Sequence, residues 1–136
     1  MLDHVAARSR LFQIIQDHIP QGTTVYRSGL QPLAEFPAIV IGMPSWSVDS
    51  SSYNTNRTTY PIAVILEKPN TQSQVTVDVL EALWQRIIQA LLYESERDGT
   101  LAGVCRASAI QHAEFGQFNV QGQDYPAQVI FVDLFA

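Results

Sequence analysis

Cysteine is nearly absent. Cys105 is the only one among 136 residues, so no disulfide can close within the chain and no cysteine-based zinc cluster can be built. A lone thiol of this kind is read as a small buried side chain. Basic residues are also scarce. Eight Lys and Arg stand against thirteen Asp and Glu, a formal net charge of -5, and bulk electrostatics of that sign repel phosphate. A nucleic-acid-binding stripe would exist only if folding gathered Arg8, Arg10, Arg27, Arg57 and Arg106 on one face. Long apolar runs are missing as well: Gln, Asp or Arg interrupts each one well short of the ~20 residues a membrane helix needs, and the N-terminus has no secretory apolar stretch. A soluble, unprocessed protein without a membrane partner is expected. The seven glycines are scattered and none forms a phosphate-binding loop ahead of a helix, so no nucleotide or other cofactor is expected.

What the chain does have is apolar content. With 46% hydrophobic residues it can bury a core of ordinary size, and residues 1–136 are read as one domain. The strongest pattern lies at 74–97. There Leu80, Leu83, Trp84, Ile87 and Leu91, flanked by Ile88 and Leu92, recur at the three-and-four spacing of one helical face, and Asp78, Glu81, Gln85 and Gln89 mark the opposite one. Residues 69–73 offer N-cap oxygens, and Asp98-Gly99 offers an exit that glycine adopts without strain. A first helix is predicted from an Asp3 cap to about His18, with Val5, Phe12, Ile15 and Ile19 as its apolar stripe and Arg8, Gln13, Gln16 and Asp17 wet.

Around the helices the periods shorten. Residues 23–35, with Gly29 and Pro32, suit a connector holding a short edge strand, and 36–43 form a β-branched run bounded by Pro37 and Pro44. Residues 58–67 are apolar on both faces near their centre, as in a central strand. Residues 104–112 alternate, 116–124 carry a turn signal, and 125–134 close a C-terminal hairpin. The expected fold is α+β: a single two-layer domain whose mostly antiparallel sheet of about four strands is covered by two main helices.

Candidate chemistry is sparse. His4 and His18 are 14 residues apart on one predicted helix, about 21 Å at ~1.5 Å per residue, too far to share an ion. No metal site is expected. His112 has Glu114 two residues on to orient it, and Asp78 is the third member of the only enzyme constellation the chain suggests. Asp78 and Glu81 share a helix face, but with nothing apolar beside them to raise a pKa they are read as solvated. The fourteen residues 44–57 are dominated by Ser, Asn, Thr and Asp and are read as a long hairpin connection. Trp46, Val48 and Tyr53 interrupt it, and large apolar side chains in such a polar setting are read as anchors for a partner.

The order of elements resembles the tail terminator family of long-tailed bacteriophages over nearly the whole chain. The likeness rests on the N-terminal helix, Phe36-Pro37-Ala38-Ile39-Val40 opening the first strand, and the polar hairpin loop. It continues through the strand around residues 60–66, the long helix before Leu101-Ala102-Gly103, and the ending Gly122-Gln123-Asp124-Tyr125-Pro126-Ala127. None of these is a catalytic signature. The resemblance implies a non-enzymatic virion protein of the tail-neck region, assembled in the host cytoplasm as a homohexameric ring. Such a ring caps the tail-tube protein, ends tube polymerisation, faces a head-tail connector or neck protein, and lets DNA pass through its lumen without specific binding. The alternatives are a head-completion or connector protein and a small enzyme with its site around His112.

Overall fold

Asp3 starts the first helix. Its carboxylate accepts hydrogen bonds from the backbone N–H groups of Val5 and Ala6, two of the donors a helix start leaves without partners, and α1 runs His4–His18 as predicted. This computed structural model describes residues 2–30, 32–49, 55–65 and 74–136, with the side chains of Val48, Asp49, Thr55, residues 74–77 and Glu96 outside the description. The elements after α1 are β1 (Thr24–Tyr26), β2 (Ala38–Ile41), β3 (Ser45–Asp49), β4 (Thr55–Ile65), α2 (Gln74–Arg97), β5 (Ala107–Val120) and β6 (Gln123–Phe135). Among the described residues the fold is α+β, with two helices on one side of a mostly antiparallel sheet of six strands, against about four expected.

The two additional strands are short. β1 pairs in parallel with β2 at the sheet margin, in the connector where an edge strand was expected. β3 corrects the reading of 44–57 as one long loop: Ser45–Asp49 pairs antiparallel with residues 55–59 of β4. Its Ser-rich composition hid a period of two, in which Trp46 and Val48 alternate with Ser45, Ser47 and Asp49.

β4 is the hub. β2 and β3 lie end to end along one of its edges, β6 runs along the other, and β5 pairs with the far side of β6. The junction between β2 and β3 is Gly42, whose N–H donates to the Pro61 carbonyl at 2.7 Å. A Cβ at Gly42 would stand 2.8 Å from Pro61 Cγ and 3.0 Å from Phe118 Cζ, so close approach requires glycine here. The hairpin of β5 and β6 turns on Gln121 and Gly122 alone, with φ of 53° and 80°, the pair of positive values of a two-residue type I′ turn. The broad turn expected over 116–124 is therefore strand up to Val120. One register shift, between Ile110 and His112, marks a bulge.

Buried apolar residues lie on both faces of the sheet. Against the helices, Tyr60, Ile62 and Val64 of β4 meet Leu11, Ile14 and Ile15 of α1 and Leu80, Leu83, Ile87 and Leu91 of α2. On the opposite face Ala63 and Ile65 join Tyr26, Leu33 and Val40 and the distal hairpin residues Val120 and Tyr125. The phenolic oxygen of Tyr26 accepts from the N–H groups of Ala34 and Glu35, both at 3.2 Å, and so pins the connector to this second core.

Of the expected α1 stripe, Ile15 is buried and Phe12 and Ile19 pack half-buried against the core, joined by Ala7, Leu11 and Ile14. Val5 is the exception: it lies about 200° round the helix from Ala7 and is exposed. On α2 the expected face is inward, with Trp84 and Ile88 half-buried against the core, but Leu92 is exposed and Ala90 is buried in its place. The helices are tied at two points. Arg86 Nε donates to the His18 carbonyl at 2.7 Å, an acceptor left over at the end of α1, and Arg10 reaches Glu94. The cap expected for α2 at 69–73 lies outside the described residues.

α2 runs Gln74–Arg97 and the chain leaves it at Asp98, as expected, but the turn that follows is built differently. Gly99 does not take the left-handed conformation; the positive φ values fall on Leu101, Ala102 and Gly103, at 50°, 65° and 85°. Two of these are not glycines, and the Asp98 carboxylate holds the turn by accepting from Thr100 N, Thr100 Oγ1 and Ala102 N. Leu101 is thereby delivered into the core, beside the buried thiol of Cys105. That thiol donates to the Thr100 carbonyl at 3.5 Å, and burial pushes its pKa up.

The bonds that Thr100 and Ala102 give to Asp98 hold its pKa below the ordinary 3.8. A carboxylate depressed in the folded state stabilises it fully above the unfolded value, and the contribution is lost as pH falls through the folded value. The difference in melting temperature between wild type and Asp98→Asn is therefore expected to be largest above about pH 5 and to shrink progressively below 3.8. A difference that stays constant from about pH 7 to pH 2 in thermal melts would contradict this role.

Candidate functional site

A groove of about 660 Å³ opens on the helix face of the sheet, between the first turn of α1 and the connector after β1. Its floor is built by alternation along β4. Thr58 and Tyr60 point to the helix side, and Trp46 of β3 lies opposite Thr58 in the strand pairing. One wall is His4, Val5 and Arg8 of α1, and the other is Arg27, Ser28 and Leu30. A smaller cavity of about 240 Å³ continues past Trp46 toward Leu2 and Asn56.

Four large apolar side chains line the groove with most of their surface in water: Val5 at 75% exposed, Leu30 at 76%, Met43 at 68% and Trp46 at 58%. Scattered exposed apolar residues are ordinary, but four around one concavity form a patch of the sort that marks interaction surfaces. The groove is also cationic on one side. Among the described residues, no carboxylate lines it.

Arg8 sits at the centre of that side. It was expected on a wet face, and instead its guanidinium donates to the carbonyls of Ile41 at 2.7 Å, Gly42 at 2.8 Å and Arg27. It also lies 5.4 Å from the ring centre of Tyr60. At the break between β2 and β3, Arg8 supplies a donor to each of the Ile41 and Gly42 carbonyls. Burial lowers the Arg8 pKa, with the Tyr60 hydroxyl acting against the shift; burial raises the Tyr60 pKa above 10.0, with Arg8 opposing. Arg27 is exposed, hydrogen-bonds Ser9 Oγ and lies 5.4 Å from the ring centre of Phe12. His4 Nδ1 is 3.2 Å from the Tyr60 hydroxyl.

Of the three anchors expected from sequence, Trp46 lines this groove. Val48 is placed by its backbone opposite Asn56, and Tyr53 lies outside the described residues. The groove itself comes from four separated segments; Trp46 was the residue read as an anchor, and the signals passed over were Gly42, a glycine inside a strand pattern, and Pro44 just after it.

The other candidates are not drawn together. His112 and Glu114 approach to 3.8 Å, both well exposed, and His112 stacks on Phe131 at 4.6 Å between ring centres. They belong to the face opposite the helices, whereas Asp78 is exposed on α2, so the three do not form one site. Glu81 is exposed beside Asp78. His18 Nδ1 is 2.8 Å from the Ile14 carbonyl and does not approach the groove that His4 lines. The arginines separate as well: Arg10 turns to Glu94 and Arg57 Nε donates to Ser47 Oγ at 3.3 Å, while Arg8 and Arg27 stay together. No protein-family model and no curated protein sequence matches the chain.

Proposed function

We propose that the chain is a non-enzymatic structural subunit of a phage neck, which caps the tail tube as a homohexameric ring, ends tube polymerisation and forms the tail side of the head-tail joint. The observation that carries this reading is the groove with Val5, Leu30, Met43 and Trp46 exposed around it. Such a surface costs solubility unless another chain covers it. The resemblance in element order, from the N-terminal helix to the Gly122-Gln123-Asp124-Tyr125 hairpin, supplies the identity of the assembly. The net charge of -5 suits a ring through which DNA must slide without adhering, because each neutralised phosphate would add affinity.

The test is to add the purified chain to polymerising tail-tube protein of the same virus and image the tubes in negative stain. Shortened tubes carrying density at one end are expected. Unchanged tube lengths with bare ends would overturn the proposal. Trp46→Ala is expected to leave thermal stability within about 1 kcal/mol, as exposed substitutions do. It should weaken capping by the about 2 kcal/mol, or about thirtyfold, typical of an interfacial tryptophan anchor.

A further inference from the structure

We infer that the groove between α1 and β3 binds an acidic, apolar segment of a partner polypeptide, one that presents a carboxylate beside an aliphatic or aromatic anchor. This rests on reading the groove as a partner contact and adds the chemistry of the partner.

The charge distribution carries the inference. The chain is acidic overall, with thirteen carboxylate residues against eight basic ones, yet the described lining of the groove holds Arg8, Arg27 and His4 and no Asp or Glu. Among the described residues, neither Arg8 nor Arg27 has a carboxylate within ion-pair distance, whereas Arg10 and Arg97 both pair with Glu94. The guanidinium of Arg8 is held by backbone carbonyls, which are dipoles and leave its charge uncompensated. Arg27 spends one nitrogen on Ser9, lies over the Phe12 ring and is otherwise exposed at the groove wall. A carboxylate entering here meets a half-buried cation and an exposed one, while the apolar part of the same segment covers Trp46, Met43 and Val5. Cationic and apolar lining together select an acidic-apolar partner and repel a basic one.

The open form of the groove selects a polypeptide over a small acid. Sites for small ligands bury most of the ligand surface, whereas the apolar walls here stand 58% to 76% exposed and can be covered only by something that extends across them.

Panning a display library of random dodecapeptides against the full chain tests the inference without any tail protein. Selected peptides are expected to be enriched in Asp or Glu next to an aliphatic or aromatic residue. In fluorescence anisotropy the best of them should bind about tenfold more weakly to Arg27→Glu and to Trp46→Ala. Binding should also weaken as salt rises from about 0.05 M to about 0.5 M. Arg27→Gln should fall between wild type and Arg27→Glu, and thermal melts of all three variants should match wild type. Peptides without acidic enrichment, or binding indifferent to Arg27→Glu, would overturn the inference. Sedimentation velocity showing a concentration-dependent dimer that Arg27→Glu abolishes would also overturn it, in favour of a second copy in the groove. Because no tube is present, a failure of tube capping with successful peptide binding refutes only the phage assignment, and the reverse outcome refutes only the partner chemistry.

Discussion

Tyr60→Ala is expected to cost about 3 to 5 kcal/mol of folding free energy, the range for removing a large buried aromatic side chain. Tyr60 is among the largest fully buried side chains of the described core and stands at the middle of β4, paired with Val132 of β6. Three layers of structure depend on it. Its ring fills the core between the sheet and α1, its face carries the Arg8 guanidinium, and its hydroxyl meets His4 in the first turn of the helix. The groove lies directly above, so water can enter the space left by truncation, which places the expected cost in the lower half of that range. Tyr60→Phe keeps the ring and the cation contact and loses only the hydroxyl, so about 1 kcal/mol is expected. Urea midpoints at constant slope measure both, and a Tyr60→Ala shift below about 1 kcal/mol would show that α1 is not anchored through this residue.

The parts of this fold that were legible in sequence are those governed by local period. Both helices were legible because Leu80, Leu83, Ile87 and Leu91, and the Asp3 cap, express helical geometry within a few residues. β4 was legible because both of its faces are apolar. β3 was not, since it is a Ser-rich margin strand whose pairing with β4 depends on residues six to fourteen positions away. Arg8 was misjudged for a related reason. On a helical wheel it belongs to the polar face, and only the tertiary fold brings the carbonyl oxygens of Arg27, Ile41 and Gly42 to it. The α2 exit falls at Asp98 as expected, but its left-handed turn was assigned to Gly99 because glycine is the common solution, whereas here the Asp98 carboxylate supports Leu101 and Ala102. The groove depends on two of these nonlocal features, the pairing of β3 and the placement of Arg8, which is why Trp46 could be read as an anchor in advance while Leu30 and Met43 could not.

Glu94→Ala is expected to be the most damaging change of a charged residue, at about 3 kcal/mol, the low end of what removing one partner of a buried ion pair costs. The Glu94 side chain is 8% exposed and its carboxylate accepts from Arg10 at 3.2 Å and Arg97 at 3.1 Å. The two arginines are unequal. Arg97 is 58% exposed on its side chain, can turn to water when Glu94 is gone, and so adds little. Arg10, at 20%, is held between the helices, and its Nε is already buried without a partner; without Glu94 its guanidinium keeps the neutral Gln13 Oε1 at 3.3 Å and loses its counter-charge. The low end of the range follows because the fifth of Arg10 still in water gives it a partial escape. Glu94→Gln keeps an acceptor at the same place and should cost less than Glu94→Ala. The decisive comparison is the double variant Arg10→Met with Glu94→Leu. Replacing a buried pair by apolar groups of similar size is often neutral or stabilising, so the double variant should recover most of the loss. A double variant that is no more stable than Glu94→Ala in urea denaturation would mean that the pair sets the packing of α1 on α2, and not merely that a buried charge needs its partner.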